Sequence, residues 1–217
     1  SLGFWTLLVV GGWTGGRHLI GGPVPVWVAT IAIVACATLV FHYIVVALNL
    51  RRVFSARGST ALRFVAFGVA AYLVGGLADA VTSLRGVAKL LQFTWMTQAH
   101  TQLALSGAFT LIAFGAIYFL VPRIANQPWP STALIRAHFA ASLIGTIGLV
   151  AGLAVAGFAQ GGALADASVS FADIAAKTRP WLLLATAGQA VLLLATKPAA
   201  TAAPLFREPA AMEASAT

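Results

Sequence analysis

His100 sits in the stretch Thr97-Gln98-Ala99-His100-Thr101-Gln102, a polar run inside an otherwise apolar segment. An imidazole in such surroundings either satisfies a neighbouring helix through hydrogen bonds or serves as an axial ligand to heme iron. Both readings stand for His100. His18 follows Arg17 at the end of the first apolar run, where it reads as a metal ligand, a propionate contact or an interfacial residue. His18 and His100 fall at the same level, because each lies near the same end of its run. His42, beside Tyr43, and His138 fall nearer the opposite end and read as structural. Asp79 is the one acid inside an apolar run. It can lie at an interface, pair with Arg85 or belong to a proton path, and the first is favoured. Cys36 reads as a small core residue.

The elements that must position these side chains follow from composition. The 217 residues are 60% hydrophobic and only 8% charged, with a mean hydropathy of +0.92. A water-soluble domain is about a quarter charged, so lipid must be the solvent for most of this chain. A hydrocarbon core of about 30 Å needs roughly 20 apolar residues as helix. Five clear spans are expected at about Val26–Leu50, Ala61–Leu84, Phe93–Val121, Thr132–Phe158 and Pro180–Thr196, with a shortened one from Leu2 to about Gly16. The fold class is therefore all-α, a polytopic transmembrane bundle of about six helices. Residues 1–196 form one membrane domain, and 197–217, rich in Ala, Pro and Thr, read as a disordered tail. Pro25 suits a helix start, Pro122 is expected to close the fourth span, and Pro180 to open the sixth.

Thirteen Lys and Arg against five Asp and Glu give a net charge of +8. In a soluble protein that balance suggests nucleic acid, but these cations occupy short breaks between apolar runs, so no nucleic-acid partner is expected. Arg51, Arg52, Arg57 and Arg63 share one loop and Arg123 and Arg136 another, neither with an acid, whereas Asp79, Asp166 and Asp173 fall on the alternate side. The positive-inside rule places both Arg loops and the C-terminus in the cytoplasm. Trp13, Trp27, Trp95, Trp129 and Trp181 lie near span ends, as an interfacial aromatic belt requires. The chain opens on Ser1 without a charged leader, which points to a fragment or a split subunit. A phosphate-cradling Gly-rich loop with Lys, a nucleophile–base set and a thiol cluster are all missing from the sequence.

Phe93-Thr94-Trp95-Met96-Thr97-Gln98-Ala99-His100 and Phe114-Gly115-Ala116-Ile117-Tyr118-Phe119-Leu120-Val121-Pro122-Arg123 resemble the tenth helix of subunit I of cbb-type cytochrome c oxidases, in the heme–copper oxidase superfamily. Pro23-Val24-Pro25-Val26-Trp27 resembles the eighth helix, Ala61-Leu62-Arg63-Phe64 the ninth, and His138-Phe139 with Gln160-Gly161 the eleventh. The resemblance covers almost the whole chain and corresponds to the C-terminal half of that subunit, helices seven to twelve.

The resemblance implies a heme b with His100 as its iron ligand and His18, Arg17 and Gln102 about it, and it implies departures as well. The family's tenth helix carries His-X-His, the second of which holds a low-spin heme; Gln102 stands there. The adjacent His pair that binds copper falls at Arg17-His18, so a copper site is doubtful, His18 being its remnant. A further copper ligand lies on a preceding helix, and the oxidases require a tyrosine that residues 1–42 do not contain. The implied function is an integral membrane heme-binding subunit of a respiratory electron-transfer complex, not catalytic alone. Its partners would be other membrane subunits, including a chain supplying the missing helices or a cytochrome c subunit. Any activity would be of the terminal oxidase or nitric oxide reductase type. The alternatives are a heme-free, oxidase-like scaffold or assembly subunit and, third, a proton-path module using Asp79, His42 and His138.

Overall fold

The computed structural model describes residues 2–20, 22–55 and 58–201, and every element among them is helical. Arg57 and the tail beyond Thr201 lie outside the described residues. Eight α-helices follow in order: α1 Leu2–Gly11, α2 Val26–Ser55, α3 Thr60–Thr82, α4 Arg85–Leu91, α5 Trp95–Gln102, α6 Thr110–Ile124, α7 Thr132–Leu164 and α8 Phe171–Thr201. A π-helical segment, Leu103–Phe109, joins α5 to α6 into one rod. Five rods are long and apolar enough to cross a bilayer. The protein is an all-α, multi-pass membrane bundle.

The first run is shorter than expected. After ten residues α1 tightens into a 3-10 helix, Gly12–Leu19, because four glycines between Gly11 and Gly16 weaken the α-helical alternative. Local chemistry sets the other starts. Ser59, Thr94 and Ser131 cap α3, α5 and α7 by accepting hydrogen bonds from the backbone N–H of Leu62, Met96 and Leu134. Pro122 does not end its helix: α6 runs on to Ile124, and Asn126, at φ 50°, makes the left-handed turn beyond it. Nor does Pro180 open the last span, for α8 begins nine residues earlier at Phe171. Just upstream of the proline, the Thr178 hydroxyl donates to the carbonyls of Ile174 and Ala175, the kind of local bonding that lets membrane helices carry a proline. A short helix, α4, lies between the third and fourth spans.

In lipid the hydrophobic effect does not drive helix against helix, so close packing and cross-helix hydrogen bonds must. Glycine supplies the approach. A Cβ at Gly188 would lie 2.5 Å from the Leu149 nitrogen and 2.7 Å from the Gly145 oxygen, and one at Gly152 would lie 2.7 Å from both Ala185 N and Trp181 O. The backbones of α7 and α8 therefore touch. Gly157 and Gly161 bring α7 against the backbones of Met96 and Leu90, fixing the height of α5 and with it His100. Gly68 and Gly115 seat α3 against the π segment and α6, and Phe64, fully buried, packs on Phe114, Tyr118 and Phe139.

Gly188→Val should separate α7 from α8 and cost about 1–3 kcal/mol, the usual range for an overpacked core. Thermal unfolding in detergent would show it, and a stability equal to wild type would mean that the two backbones are not in contact.

Candidate functional site

Three side chains from three elements converge at the end of the bundle that carries His18. Arg17 comes from the 3-10 helix, Asp79 from the last turn of α3, and His100 from α5. Arg17 Nη1 lies 2.5 Å from Asp79 Oδ1, and Arg17 Nη2 donates to His100 Nδ1 at 3.1 Å. His100 Nε2 lies 2.8 Å from the same Asp79 oxygen and 3.3 Å from the Gly75 carbonyl oxygen. No N–H is aligned well enough on Oδ1 to count as a hydrogen bond, so Asp79 is held by charge.

Sequence and cap position this cluster. Phe93, at φ 62°, makes the sharp turn out of α4, an uncommon conformation for a bulky residue. Thr94 then caps α5, and His100 follows between one and two turns in. Arg85, one of the partners considered for Asp79, donates instead to Thr30 Oγ1 at 2.7 Å. Asp79 is thus neither paired with Arg85 nor simply interfacial.

The hydrogen bonds dictate the state of the imidazole. A guanidinium has donors only, so His100 Nδ1 must be the acceptor and Nε2 carries the hydrogen, directed at the Gly75 oxygen. Neither nitrogen keeps a free lone pair. A metal-bound histidine has the opposite arrangement, in which the second ring nitrogen donates to a carbonyl or carboxylate. The side chains present therefore do not fit an iron porphyrin held by His100 unless the contact with Arg17 opens. Among the described residues no group of three or more His, Cys, Asp or Glu is placed to hold a metal ion.

The other expected site residues are placed as follows. His18 shares with His100 the wall of a cavity of about 620 Å³, whose lining includes Arg17, Gln92, Met96, Leu103 and Gln160. Its carbonyl, rather than its ring, is engaged, accepting from Gln92 Nε2 at 2.5 Å. Gln102 turns away: its side-chain oxygen accepts from Ser106 Oγ at 2.9 Å, and it is not among the cavity lining. Towards the other end His42 donates from Nδ1 to the Gly3 carbonyl and pairs with the Tyr72 hydroxyl, both at 2.8 Å. His138 meets the Tyr118 hydroxyl at 2.6 Å. Reasoning from the residues singled out Asp79 and Arg17 separately but missed their pairing. The available signal was that one unusual acid and one unusual cation lay at a common level.

With this geometry in view, the chain can be set beside known proteins. A family model described as "Cytochrome C and Quinol oxidase polypeptide I" matches residues 1–191. The chain belongs to this family. Among its relatives are the Cbb3-type cytochrome c oxidase subunit CcoN1 of Stutzerimonas stutzeri, 28% identical over 73% of this chain and 35% of the relative, and cytochrome c oxidase subunit 1 of Rhodobacter capsulatus, 25% identical over 88% of this chain and 38% of the relative. A bacteroid cytochrome c oxidase subunit 1 homolog from Bradyrhizobium diazoefficiens is 25% identical over 88% and 37%. The chain spans little more than a third of the length of these subunit I relatives. The oxidase subunit I kinship expected from the tenth-helix motif is thereby established.

His18 gives an observable readout of the cluster. Partial burial in the cavity wall holds its pKa below the ordinary histidine value, the Arg17 cation lowers it further, and Asp79 opposes them. Its contribution to stability is therefore present above the ordinary value of about 6.5 and declines as pH falls through the folded pKa. An NMR titration of the labelled His18 ring should give a midpoint below that of a free histidine, and Arg17→Gln should raise it. A midpoint unmoved by Arg17→Gln would place the guanidinium elsewhere.

Proposed function

We propose that this chain is a membrane subunit of a respiratory electron-transfer complex of the cytochrome c oxidase type that carries no oxygen- or nitric oxide-reducing centre of its own. Its partners are other membrane subunits, with the remaining helices of a subunit I supplied within the same assembly and a cytochrome c subunit as a further candidate. One observation carries the reading: Arg17 stands at a position where the family resemblance calls for a copper-binding histidine. A guanidinium stays protonated and offers no lone pair, and here it is spent on Asp79 and His100. Gln102, at the second heme-ligand position, is bonded to Ser106. On this reading the subunit is the heme-free scaffold or assembly component of its complex.

A second reading, in which His100 holds a b-type heme with His18 and Arg17 lining the pocket, is favoured by the 620 Å³ cavity on whose wall all three lie, a volume within the usual range for cofactor sites. It requires the Arg17–His100 contact to open, and the porphyrin content of the assembly decides it. Bound heme would supply one-electron chemistry there.

For the proposed function, the assembly should be isolated through a tag on this chain and its oxygen and nitric oxide consumption recorded with a reduced electron donor. Gln102→Ala should leave turnover unchanged; a collapse of turnover would make this chain part of the reducing centre. Failure of any other membrane subunit to co-purify would reject the subunit role.

The arginine-rich ends of α2, α3 and α6 support a bacterial inner-membrane topology with the C-terminus in the cytoplasm. Alkaline phosphatase joined at Ser168 should be active, since that enzyme folds only outside the cytoplasm, and inactive when joined after Thr201. The reverse pattern would invert the topology.

A further inference from the structure

The cofactor implied by the family and the side chains at its place disagree, and we infer that Arg17, Asp79 and His100 form an ion-pair clasp standing where the resemblance puts an iron porphyrin. The inference deepens the reading of a subunit without its own reducing centre and rests on it for the position of residue 100. Three features carry it. The clasp joins the 3-10 helix, α3 and α5, elements that have few other polar ties to one another at this end of the bundle. Its charges balance, one guanidinium against one carboxylate, with a neutral imidazole between them. Its members are mostly shielded, with side-chain exposures of 15% for Arg17, 21% for Asp79 and 19% for His100.

The heme-bound alternative runs against this hydrogen-bond arrangement. For His100 Nε2 to bind iron, its hydrogen must leave and Nδ1 must take one up, and Nδ1 can hold a hydrogen only if Arg17 withdraws. Because one guanidinium holds both partners through its two arms, moving it off His100 strains its pairing with Asp79 in a low-dielectric site, where an unpaired carboxylate is far more costly than a paired one. The imidazole retained at position 100 is thus the central piece of a polar joint. It stays because Arg17 and Asp79 need it.

Two measurements on the intact, detergent-solubilised assembly test this. The first is pyridine hemochrome content of the wild type and of His100→Gln. Equal content in the two, whether zero or contributed by other subunits, is the expected result. A b-type signal that falls by one heme per chain in His100→Gln overturns the clasp, while the subunit role would still stand on co-purification. The second is a thermal-unfolding cycle with Arg17→Gln, Asp79→Asn and the double variant. Each single change should lower the midpoint by roughly 5–10 °C, and the double should lose no more than either single, because the second change removes a charge already unpaired. Strictly additive losses would mean that the two side chains do not interact. If a single variant fails to assemble, the charge-exchanged pair Arg17→Asp with Asp79→Arg should restore assembly; failure of the exchange as well as the singles counts against the clasp.

Discussion

A carboxylate drawn into a bilayer must find a cation or give up its charge, and Asp79 finds Arg17. That single attraction organises one end of the molecule. It ties the 3-10 helix to α3, orients the guanidinium so that its second arm reaches His100, and thereby decides which imidazole nitrogen carries the hydrogen. The small residues of the bundle make the attraction possible. Gly157 and Gly161 let α5 and α4 settle directly on α7. Charge and close packing act together here: the glycines bring the elements close, and the ionic pair adds a polar tie to the packing of the first segment on α2.

The opposite end uses neutral hydrogen bonds instead. His42 bridges Gly3 and Tyr72 across three helices, and His138 with Tyr118 lies in a box of Phe64, Phe114, Phe139 and Trp129. An imidazole paired with a phenol can be buried without net charge, so these joints avoid the cost that an ion would meet at the same depth. The two ends thus solve the same problem, polar groups in an apolar medium, by different means.

Hydropathy revealed the spans because bilayer thickness imposes a length that few other constraints mimic. Their edges were less legible. Pro180 and Pro122 looked like boundaries because proline removes a backbone donor, yet both helices continue through them, α8 with Thr178 bonding just upstream and α6 ending only before the left-handed Asn126. The first run was legible as a shortened span, but its 3-10 tightening over Gly12–Leu19 was not. At the site, residue types were legible and partnerships were not. Asp79 has Arg85 six positions away and Arg17 sixty-two positions away, and one sequence does not say which of two cations a folded chain will bring to an acid. The motif around His100 carried the family; only geometry showed the state of the ring.

The π-helical stretch between α5 and α6 has a quieter effect. A wide turn adds a residue without breaking the rod, so the two halves of this span are phased independently. One half can aim His100 towards α3 while the other keeps Gly115 flush against Ala61. A uniform α-helix would tie those two azimuths together at 100° per residue and could satisfy only one. The bulge acts as a differential within a single shaft, setting the rotation of the His100 half relative to the half that carries Gly115.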